Sequence, residues 1–195
     1  MDERLLRLRE KAKSDGEPVL REKSFNKLLE TVAEKQPENI LEIGVNVGLT
    51  GIAMLLKSPS AFLTGIEIDE EKIASAKQNY RDFNVFGRAK IFTGDAGEII
   101  PMLSGGYDFI FLDGPKGHYH EYLPDLLRVL KVGGILFADN VLFRGYVNGK
   151  VKTPHRFMTT KHSLEKFIKG ITENPDLKSE VIDLEDGISI TEKLR

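Results

Sequence analysis

The sequence predicts an α/β fold with a doubly wound, mostly parallel sheet of seven strands that closes with an antiparallel hairpin. Short runs of apolar and β-branched residues alternate with segments of helical apolar spacing, which is typical of βα units. Polar residues follow the ends of these runs, where open parallel sheets bind their ligands. Near the C-terminus, Asp186-Gly187 stands between two apolar segments and predicts a hairpin turn.

The composition predicts one domain over residues 1–195. The chain is 41% apolar and 30% charged, with a formal net charge of −2, so nucleic-acid binding would need a local basic patch. The absence of cysteine excludes disulfides, thiolate zinc ligands and cysteine nucleophiles. No apolar run reaches the roughly 18–20 residues of a membrane span, and the charged N-terminus does not resemble a secretory signal. We expect a cytoplasmic protein without membrane contact.

Residues 1–36 are predicted to form two N-terminal helices. The central stretch follows at residues 40–51, where a buried strand runs into a glycine-rich turn and then a helix. Gly44 lies at the sharp turn, and Gly48 lies where a ligand or another backbone segment must come close. Backbone N–H groups at the start of the helix would face that ligand. An ordinary tight turn between strand and helix is the alternative.

The second predicted strand, residues 61–68, ends in acidic residues. Glu67 lies 23 residues beyond Gly44, near the spacing at which an acid binds the ribose hydroxyls of a nucleotide cofactor. Asp69 competes for this role, but it is also well placed to cap the helix that follows. We therefore favour Glu67 as the ribose ligand and Asp69 as the cap.

The third predicted strand, residues 89–93, leads into Gly94-Asp95-Ala96. The Asp95 carboxylate could accept a hydrogen bond from an adenine amino group. Residues 96–103 have helical spacing, so a helix cap is the alternative role for this acid.

Oxygen ligands follow the fourth and fifth predicted strands. Residues 107–112 lead into Asp113, and residues 134–138 lead into Asp139 and Asn140. Two carboxylates and an amide suit a hard divalent cation such as Mg²⁺, whereas zinc would favour His or Cys. Asp and Asn at strand ends also commonly cap turns, so the combination carries the prediction of a metal site.

Two motifs carry a resemblance to a known family. The E-x-G-x-x-x-G pattern of residues 42–48 resembles the first motif of class I S-adenosylmethionine-dependent methyltransferases, which have a Rossmann-like fold. The L-D-G-P-K run of residues 112–116, followed by Asp139-Asn140, is similar to the metal and base motif of the catechol and caffeoyl-CoA O-methyltransferases. Gly114 departs from the catechol enzymes, which carry histidine there. The resemblance extends from about residue 17 to the C-terminus.

This resemblance implies S-adenosylmethionine and Mg²⁺, or another divalent cation, as cofactors, and a homodimer. It implies that Asp113, Asp139 and Asn140 hold the metal and that Lys116 is the catalytic base. A lysine near a metal and a sulfonium has its neutral form favoured, although a solvated loop lysine is the alternative. The residues implied to bind the methyl donor are Glu42, Gly44, Gly48, Thr50, Glu67, Asp95, Ala96 and Asp113.

Further segments resemble the bacterial branch of tRNA 5-hydroxyuridine methyltransferases, namely residues 116–119, 139–145, 174–176 and 186–190. This resemblance implies methylation of 5-hydroxyuridine at the wobble position of the tRNA anticodon, which gives 5-methoxyuridine. One alternative is a small catechol-like or phenolic acceptor. Another is a non-catalytic module that binds S-adenosylmethionine or RNA.

A basic strip lies between residues 144 and 169, with Glu165 as its one acid. Such a strip could follow phosphates, with Phe143, Tyr146 or Phe157 stacked on a base, or it could be a solvated surface. Residues 143–160 are long for a connection and predict a substrate lid. The basic residues of the strip are Arg144, Lys150, Lys152, Arg156, Lys161, Lys166 and Lys169.

Overall fold

A computed structural model describes residues 2–195 and contains one seven-stranded sheet. Its strand order is β3-β2-β1-β4-β5-β7-β6. The pairs β1/β2, β2/β3 and β4/β5 are parallel, and β7 pairs antiparallel with both β5 and β6. This arrangement confirms the predicted fold class. The strands are β1 Asn39–Ile43, β2 Phe62–Glu67, β3 Ala89–Thr93, β4 Tyr107–Leu112, β5 Leu130–Asp139, β6 Leu177–Ile182 and β7 Ile188–Lys193.

The chain divides into two compact units, Met1–Asp95 and Ala96–Arg195. The first unit contains β1 to β3, and the second contains β4 to β7. Among residues 2–195, no helix is long and apolar enough to cross a membrane. The helices of the first unit are α1 Glu3–Ser14, α2 Glu22–Lys35, α3 Leu49–Lys57 and α4 Glu70–Asp82, and those of the second are α5 Ala96–Ile99, α6 Tyr119–Val129 and α7 Met158–Thr172.

Local chemistry explains where the first unit turns from strand to helix. Four of the five β1 residues are buried, as a strand covered on both faces requires. At the end of β2, the Asp69 carboxylate accepts hydrogen bonds from the N–H groups of Glu71 at 2.9 Å and Lys72 at 3.2 Å. Asp69 is therefore the N-cap of α4, which confirms its predicted capping role.

The second unit differs from the sequence prediction at two boundaries. The segment predicted as one helix over residues 96–103 is the short α5 followed by a 3-10 turn at Ile100–Met102, because Pro101 has no N–H to continue an α-helix. The fifth strand, predicted over residues 134–138, starts four residues earlier and includes Asp139, because β5 extends from Leu130 to Asp139.

The C-terminal hairpin is present, and its second strand also completes the sheet. β7 lies between β5 and β6, with Asp139 paired to Ile188 and Val181 paired to Ser189. Gly187 precedes β7 with a φ of 81°, and a Cβ there would lie 2.3 Å from Cγ of Leu142. Only glycine therefore lets this turn pack against the chain that leaves β5.

Candidate active site

The glycine-rich turn after β1 is formed by close packing. Gly44 has a φ of 90° and its N–H donates to the carbonyl oxygen of Ile66 at 3.0 Å. Gly48 has a φ of 79°, and a Cβ there would lie 2.8 Å from Cε1 of Tyr80 and 3.1 Å from Cβ of Ala76. The close approach predicted at Gly48 is thus made by α4. Contact of either glycine with a cofactor stays a prediction.

Glu42 and Tyr80 form a buried polar group beside this turn. The Glu42 side chain is fully buried. A Cβ on Gly51 would lie 2.6 Å from both Oε2 of Glu42 and the hydroxyl of Tyr80, so the glycine leaves room for them. Burial, and then the charge of Glu42, raise the pKa of Tyr80 well above its ordinary value. The cofactor role of Glu42 stays a prediction, and no sequence signal indicated Tyr80.

The Glu67 carboxylate ties the end of β2 to the turn after β1. It accepts hydrogen bonds from the backbone N–H groups of Asn46 at 2.8 Å, Ile68 at 2.9 Å and Asp69 at 3.1 Å. Asn46 has a φ of 48°, and its side-chain amide donates to the carbonyl oxygen of Pro18 at 3.0 Å. These bonds position the Glu67 carboxylate firmly, and its binding of ribose stays a prediction.

Four further residues belong to the expected cofactor set or lie beside it. Thr50 is half-buried in the first turn of α3, Asp95 is exposed at the end of the first unit, and Ala96 is buried at the start of α5. Their cofactor roles stay predictions. Ile68, which no sequence pattern indicated, is 65% exposed directly after Glu67. A large apolar side chain exposed beside an expected ribose ligand could contact a flat ring.

Asp113 and Lys116 form an ion pair after β4. The Lys116 Nζ lies 2.8 Å from Oδ1 of Asp113. The side chain of Lys116 is 23% exposed and that of Asp113 is 27% exposed, so a ligand can reach both. Burial raises the pKa of Asp113 above its ordinary value, and the positive charge of Lys116 opposes this rise.

Asp139 ends β5 with an oxygen that has no hydrogen-bond partner. Its side chain is buried, and Oδ1 makes no hydrogen bond. Burial and the negative charge of Asp113 together raise the pKa of Asp139 to about 7, although the backbone N–H of Asn140 donates to its carboxylate. The effect of Asp113 on the pKa of Asp139 means that the two carboxylates are close enough for their charges to repel. The next residue, Asn140, has a φ of 57°.

These residues fit a hard divalent cation. A buried carboxylate oxygen without a partner and two repelling carboxylates are both stabilised by a positive charge. Within residues 2–195, no three His, Cys, Asp or Glu side chains are grouped so that they could hold a metal ion. The Asn140 amide would therefore have to act with the two carboxylates. The set Asp113, Asp139 and Asn140 stays a predicted metal site.

Tyr119 links the ends of β4 and β5 and was missed as a site residue by the sequence reasoning. Its hydroxyl donates to the carbonyl oxygens of Leu112 at 3.1 Å and Asp139 at 3.2 Å. The side chain is fully buried, and its ring packs edge-on against Phe167 with centroids 5.5 Å apart. Only its place on the buried side of α6 could have indicated it. The strand-end region is defined here as Asp113, Lys116, Tyr119, Asp139 and Asn140.

An aromatic cluster of Phe143, Tyr146 and Phe157 follows the strand-end region. The rings of Tyr146 and Phe157 are stacked at 5.6 Å, and Phe143 lies edge-on to both. Arg144 and Arg156 hold their guanidinium groups 5.8 and 4.8 Å from the ring centre of Phe157. The predicted lid ends earlier than expected, because α7 begins at Met158. Its function as a lid stays a prediction.

Carboxylates partly neutralise the basic strip. Lys161 pairs with Glu165 at 3.5 Å and Lys169 with Glu173 at 3.7 Å. Lys150 pairs with Asp183, which lies beyond the segment considered in the sequence. Three of the seven basic residues thus have acidic partners, and the strip is less positive than its sequence suggests.

The strand order, the glycine-rich turn after β1 and the oxygen donors after β4 and β5 define an α/β enzyme of the type that binds a nucleotide-like cofactor. The sequence pattern of the O-methyltransferase family matches residues 8–194, and the chain belongs to this family. It is an S-adenosylmethionine-dependent O-methyltransferase, and therefore an enzyme rather than a non-catalytic binding module.

Individual relatives are similar over much of the chain. Tapetum-specific methyltransferase 1 of Arabidopsis thaliana is 28% identical over 163 residues, which cover 80% of this chain and 70% of that protein. The catechol O-methyltransferase of Niastella koreensis is 35% identical over 127 residues, which cover 62% of this chain and 58% of that one.

Solved structures show the same fold. The O-methyltransferase TomG of Streptomyces achromogenes, in complex with S-adenosylmethionine, superimposes with a TM-score of 0.88 at 21% identity. The match covers 100% of this chain and 91% of TomG. An O-methyltransferase of Bacillus cereus gives a TM-score of 0.86 at 20% identity and covers 99% of this chain and 91% of that one.

Proposed function

We propose that this enzyme transfers the methyl group of S-adenosylmethionine to a hydroxyl of a small phenolic or catechol-like acceptor, with the help of a divalent cation. The observation that carries the metal-assisted reaction is the buried Oδ1 of Asp139, which has no hydrogen-bond partner and lies within the electrostatic influence of Asp113. The catechol O-methyltransferase of Niastella koreensis supports the acceptor class by its name and its 35% identity.

The chain supplies the binding groups for this reaction. Asp113, Asp139 and Asn140 would hold the cation, preferably Mg²⁺, through oxygen atoms. A bound divalent cation makes the acceptor hydroxyl more acidic and fixes its orientation. The residues proposed to bind the methyl donor are the predicted set after β1, β2 and β3, together with Glu42 in β1 and Asp113 after β4, and Glu67 is the acid for the ribose. Ile68 adds an exposed apolar surface beside that acid.

Lys116 is the proposed base. Its partly buried Nζ lies 2.8 Å from Oδ1 of Asp113, so the carboxylate holds the amine beside the expected metal ligands. In the reaction the acceptor proton moves to Nζ of Lys116, which requires that this amine has first lost the proton that it holds in the ion pair with Asp113. The acceptor oxygen forms a bond to the methyl carbon while the carbon–sulfur bond breaks, and S-adenosylhomocysteine leaves with the electron pair. Positioning for this in-line displacement accounts for much of the rate.

The wobble 5-hydroxyuridine of tRNA is the second candidate acceptor. Arg144, Lys152 and Arg156 are exposed in the segment that follows the strand-end region, and they favour a polyanionic partner. The acidic partners of Lys150, Lys161 and Lys169 reduce this support. The rings of the aromatic cluster are also engaged with one another, which leaves less surface for a base. We therefore place the small acceptor first.

Methyl transfer from labelled S-adenosylmethionine tests both acceptors in one assay. The acceptors are 3,4-dihydroxybenzoate and tRNA from cells that make hydroxyuridine but do not methylate it, each with Mg²⁺ and with EDTA. Label in the small phenol that EDTA abolishes is the expected result. Label in tRNA alone would show that tRNA, and not the small phenol, is the acceptor. Methyl transfer that continues unchanged in EDTA would contradict the role of the metal.

A further inference from the structure

One hydroxyl group connects the two backbone segments that carry the expected metal ligands. The Leu112 carbonyl belongs to the peptide that leads into Asp113, and the Asp139 carbonyl belongs to the peptide that leads into Asn140. The hydroxyl of Tyr119 lies 3.1 and 3.2 Å from these two oxygens. Because a phenol has a single proton, the two carbonyls share one three-centre hydrogen bond.

The surroundings of Tyr119 hold this hydroxyl in place. The side chain has no exposed surface, and Tyr119 is the first residue of α6. Its ring meets Phe167 of α7 edge-on, with centroids 5.5 Å apart and planes at 67°. Water cannot replace a hydrogen bond in such a buried position without cost. The β4–β5 ladder ends at the pair Leu112 and Ala138, and the tyrosine hydroxyl links the two chains at the point where they leave this ladder.

We propose that Tyr119 is a positioning residue for the metal site and sets the spacing between Asp113 and the Asp139-Asn140 pair. This inference rests on the proposed metal-assisted function. Mg²⁺ requires near-octahedral ligands at about 2.0–2.1 Å, so a small shift between two ligand-bearing segments weakens binding strongly. Groups that orient metal ligands without touching the metal typically change metal affinity about 10–100-fold.

A purely structural role for Tyr119 makes a different prediction. Loss of the hydroxyl would then lower the melting temperature by a few degrees and leave metal affinity unchanged. A positioning role requires weaker metal binding even when the protein is fully folded. Metal affinity, measured by calorimetry on metal-stripped protein, therefore separates the two roles.

The test compares Tyr119→Phe with Tyr122→Phe. Tyr122 lies one turn further along α6, is also buried, and stacks on His118 with centroids 5.9 Å apart. Titrations with Mg²⁺ and Mn²⁺ should show a Kd about 10–100-fold higher for Tyr119→Phe and wild-type affinity for Tyr122→Phe. The affinity for S-adenosylmethionine should be unchanged in both, and a high Mg²⁺ concentration should restore the kcat of Tyr119→Phe.

The outcomes distinguish this inference from the proposed function. Equal metal affinity in Tyr119→Phe and the wild type overturns the positioning role, whatever the melting temperatures. A wild-type protein that binds neither cation overturns the metal-assisted function, and the positioning role with it. If Tyr119→Phe does not fold, 3-fluorotyrosine at position 119 keeps the shape and the donor. Its fluorine resonance should then shift on addition of Mg²⁺, and a resonance that ignores Mg²⁺ would overturn the inference.

Discussion

The glycine-rich turn with Glu67 and the strand-end region differ in how their polar groups are satisfied. The Glu67 carboxylate accepts three backbone hydrogen bonds, and Gly48 of the turn packs against Tyr80 and Ala76 of α4. In the strand-end region, Asp139 keeps a buried oxygen without a partner and has a raised pKa. The first region is formed by its own packing, whereas the second carries a charge that a bound cation would stabilise.

Each region also contains a fully buried tyrosine, and the two tyrosines differ in whether their hydroxyl groups have hydrogen-bond partners. The Tyr80 hydroxyl has no hydrogen-bond partner although its ring supports the turn at Gly48. The Tyr119 hydroxyl is shared by two backbone carbonyls. Tyr80 therefore supports the turn through the packing of its ring, whereas Tyr119 links two backbone segments through the hydrogen bond that its hydroxyl donates. The difference between the two regions shows that a carboxylate with its hydrogen bonds already made needs no ligand to be stable, whereas a buried carboxylate oxygen without a partner is stabilised by a bound cation.

The largest expected effect follows from removing a proposed metal ligand. Asp139→Ala should reduce methyl transfer about 1000-fold, because Lewis-acid assistance is worth several kcal/mol. Affinity for S-adenosylmethionine, measured by calorimetry, should be retained if the glycine-rich turn is independent of the strand ends. Asp183→Ala is the matched control, since this exposed acid pairs only with Lys150 among the ion pairs found. Full activity in Asp139→Ala would refute the metal role.

A change in the glycine-rich turn should act mainly through folding. Gly48→Ala places a Cβ 2.8 Å from the Tyr80 ring at a φ of 79° and should lower the free energy of unfolding by about 2–4 kcal/mol. Affinity for S-adenosylmethionine should fall with it. Gly87→Ala is the control, because nothing lies within 4 Å of that position. Similar denaturation midpoints for Gly48→Ala and Gly87→Ala would show that the close packing at Gly48 does not stabilise this turn.

The raised pKa of Asp139 predicts the pH dependence of the metal-free protein. The pKa rises from 3.8 to about 7 on folding, so the folded state binds more protons between these values. The free energy of unfolding should therefore fall as the pH increases from about 4 to 7, by a few kcal/mol. Urea denaturation in EDTA should show this decrease in the wild type and a smaller one in Asp139→Asn. Identical slopes would contradict the assignment.

The smallest effect is expected for loss of the Tyr80 hydroxyl, in contrast to loss of the Tyr119 hydroxyl. Tyr80→Phe removes a buried hydroxyl that has no hydrogen-bond partner, so the free energy of unfolding should stay within about 1 kcal/mol of the wild type or rise. Metal affinity should not change. A clear loss of stability in urea denaturation would mean that the Tyr80 hydroxyl interacts favourably with Glu42.

Much of the fold was predictable because it depends on local patterns. The ranges of β3 and β4 agree with the predicted strands, and Asp69 caps α4 as expected. Boundaries set by tertiary contacts were less predictable. β5 begins at Leu130 and not at residue 134 as predicted, because Leu130 pairs with Tyr107 of β4, and a local sequence pattern cannot reveal such a partner.

The candidate site was predictable where its chemistry comes from residue type at strand ends. Asp113, Lys116 and Asp139 could be found because polar side chains there are exceptional among apolar runs. Tyr80 and Tyr119 could not, since each occupies an ordinary buried helical position. Asp183 lies outside the basic strip in sequence but pairs with Lys150 in space. Sequence spacing along one segment therefore overestimated the positive charge of that surface.

The position of β7 determines when the strand-end region can form during synthesis. β7 is made after every other strand, yet it lies between β5 and β6 and pairs with β5 along residues 135–139. Until residues 188–193 leave the ribosome, that edge of β5 has no partner and resembles the strand edges at which chains aggregate. The glycine-rich turn, with β1 to β3, can be assembled earlier. We therefore expect the strand-end region to be completed late in synthesis, and a nascent chain stopped before β7 should be the species that most needs a chaperone.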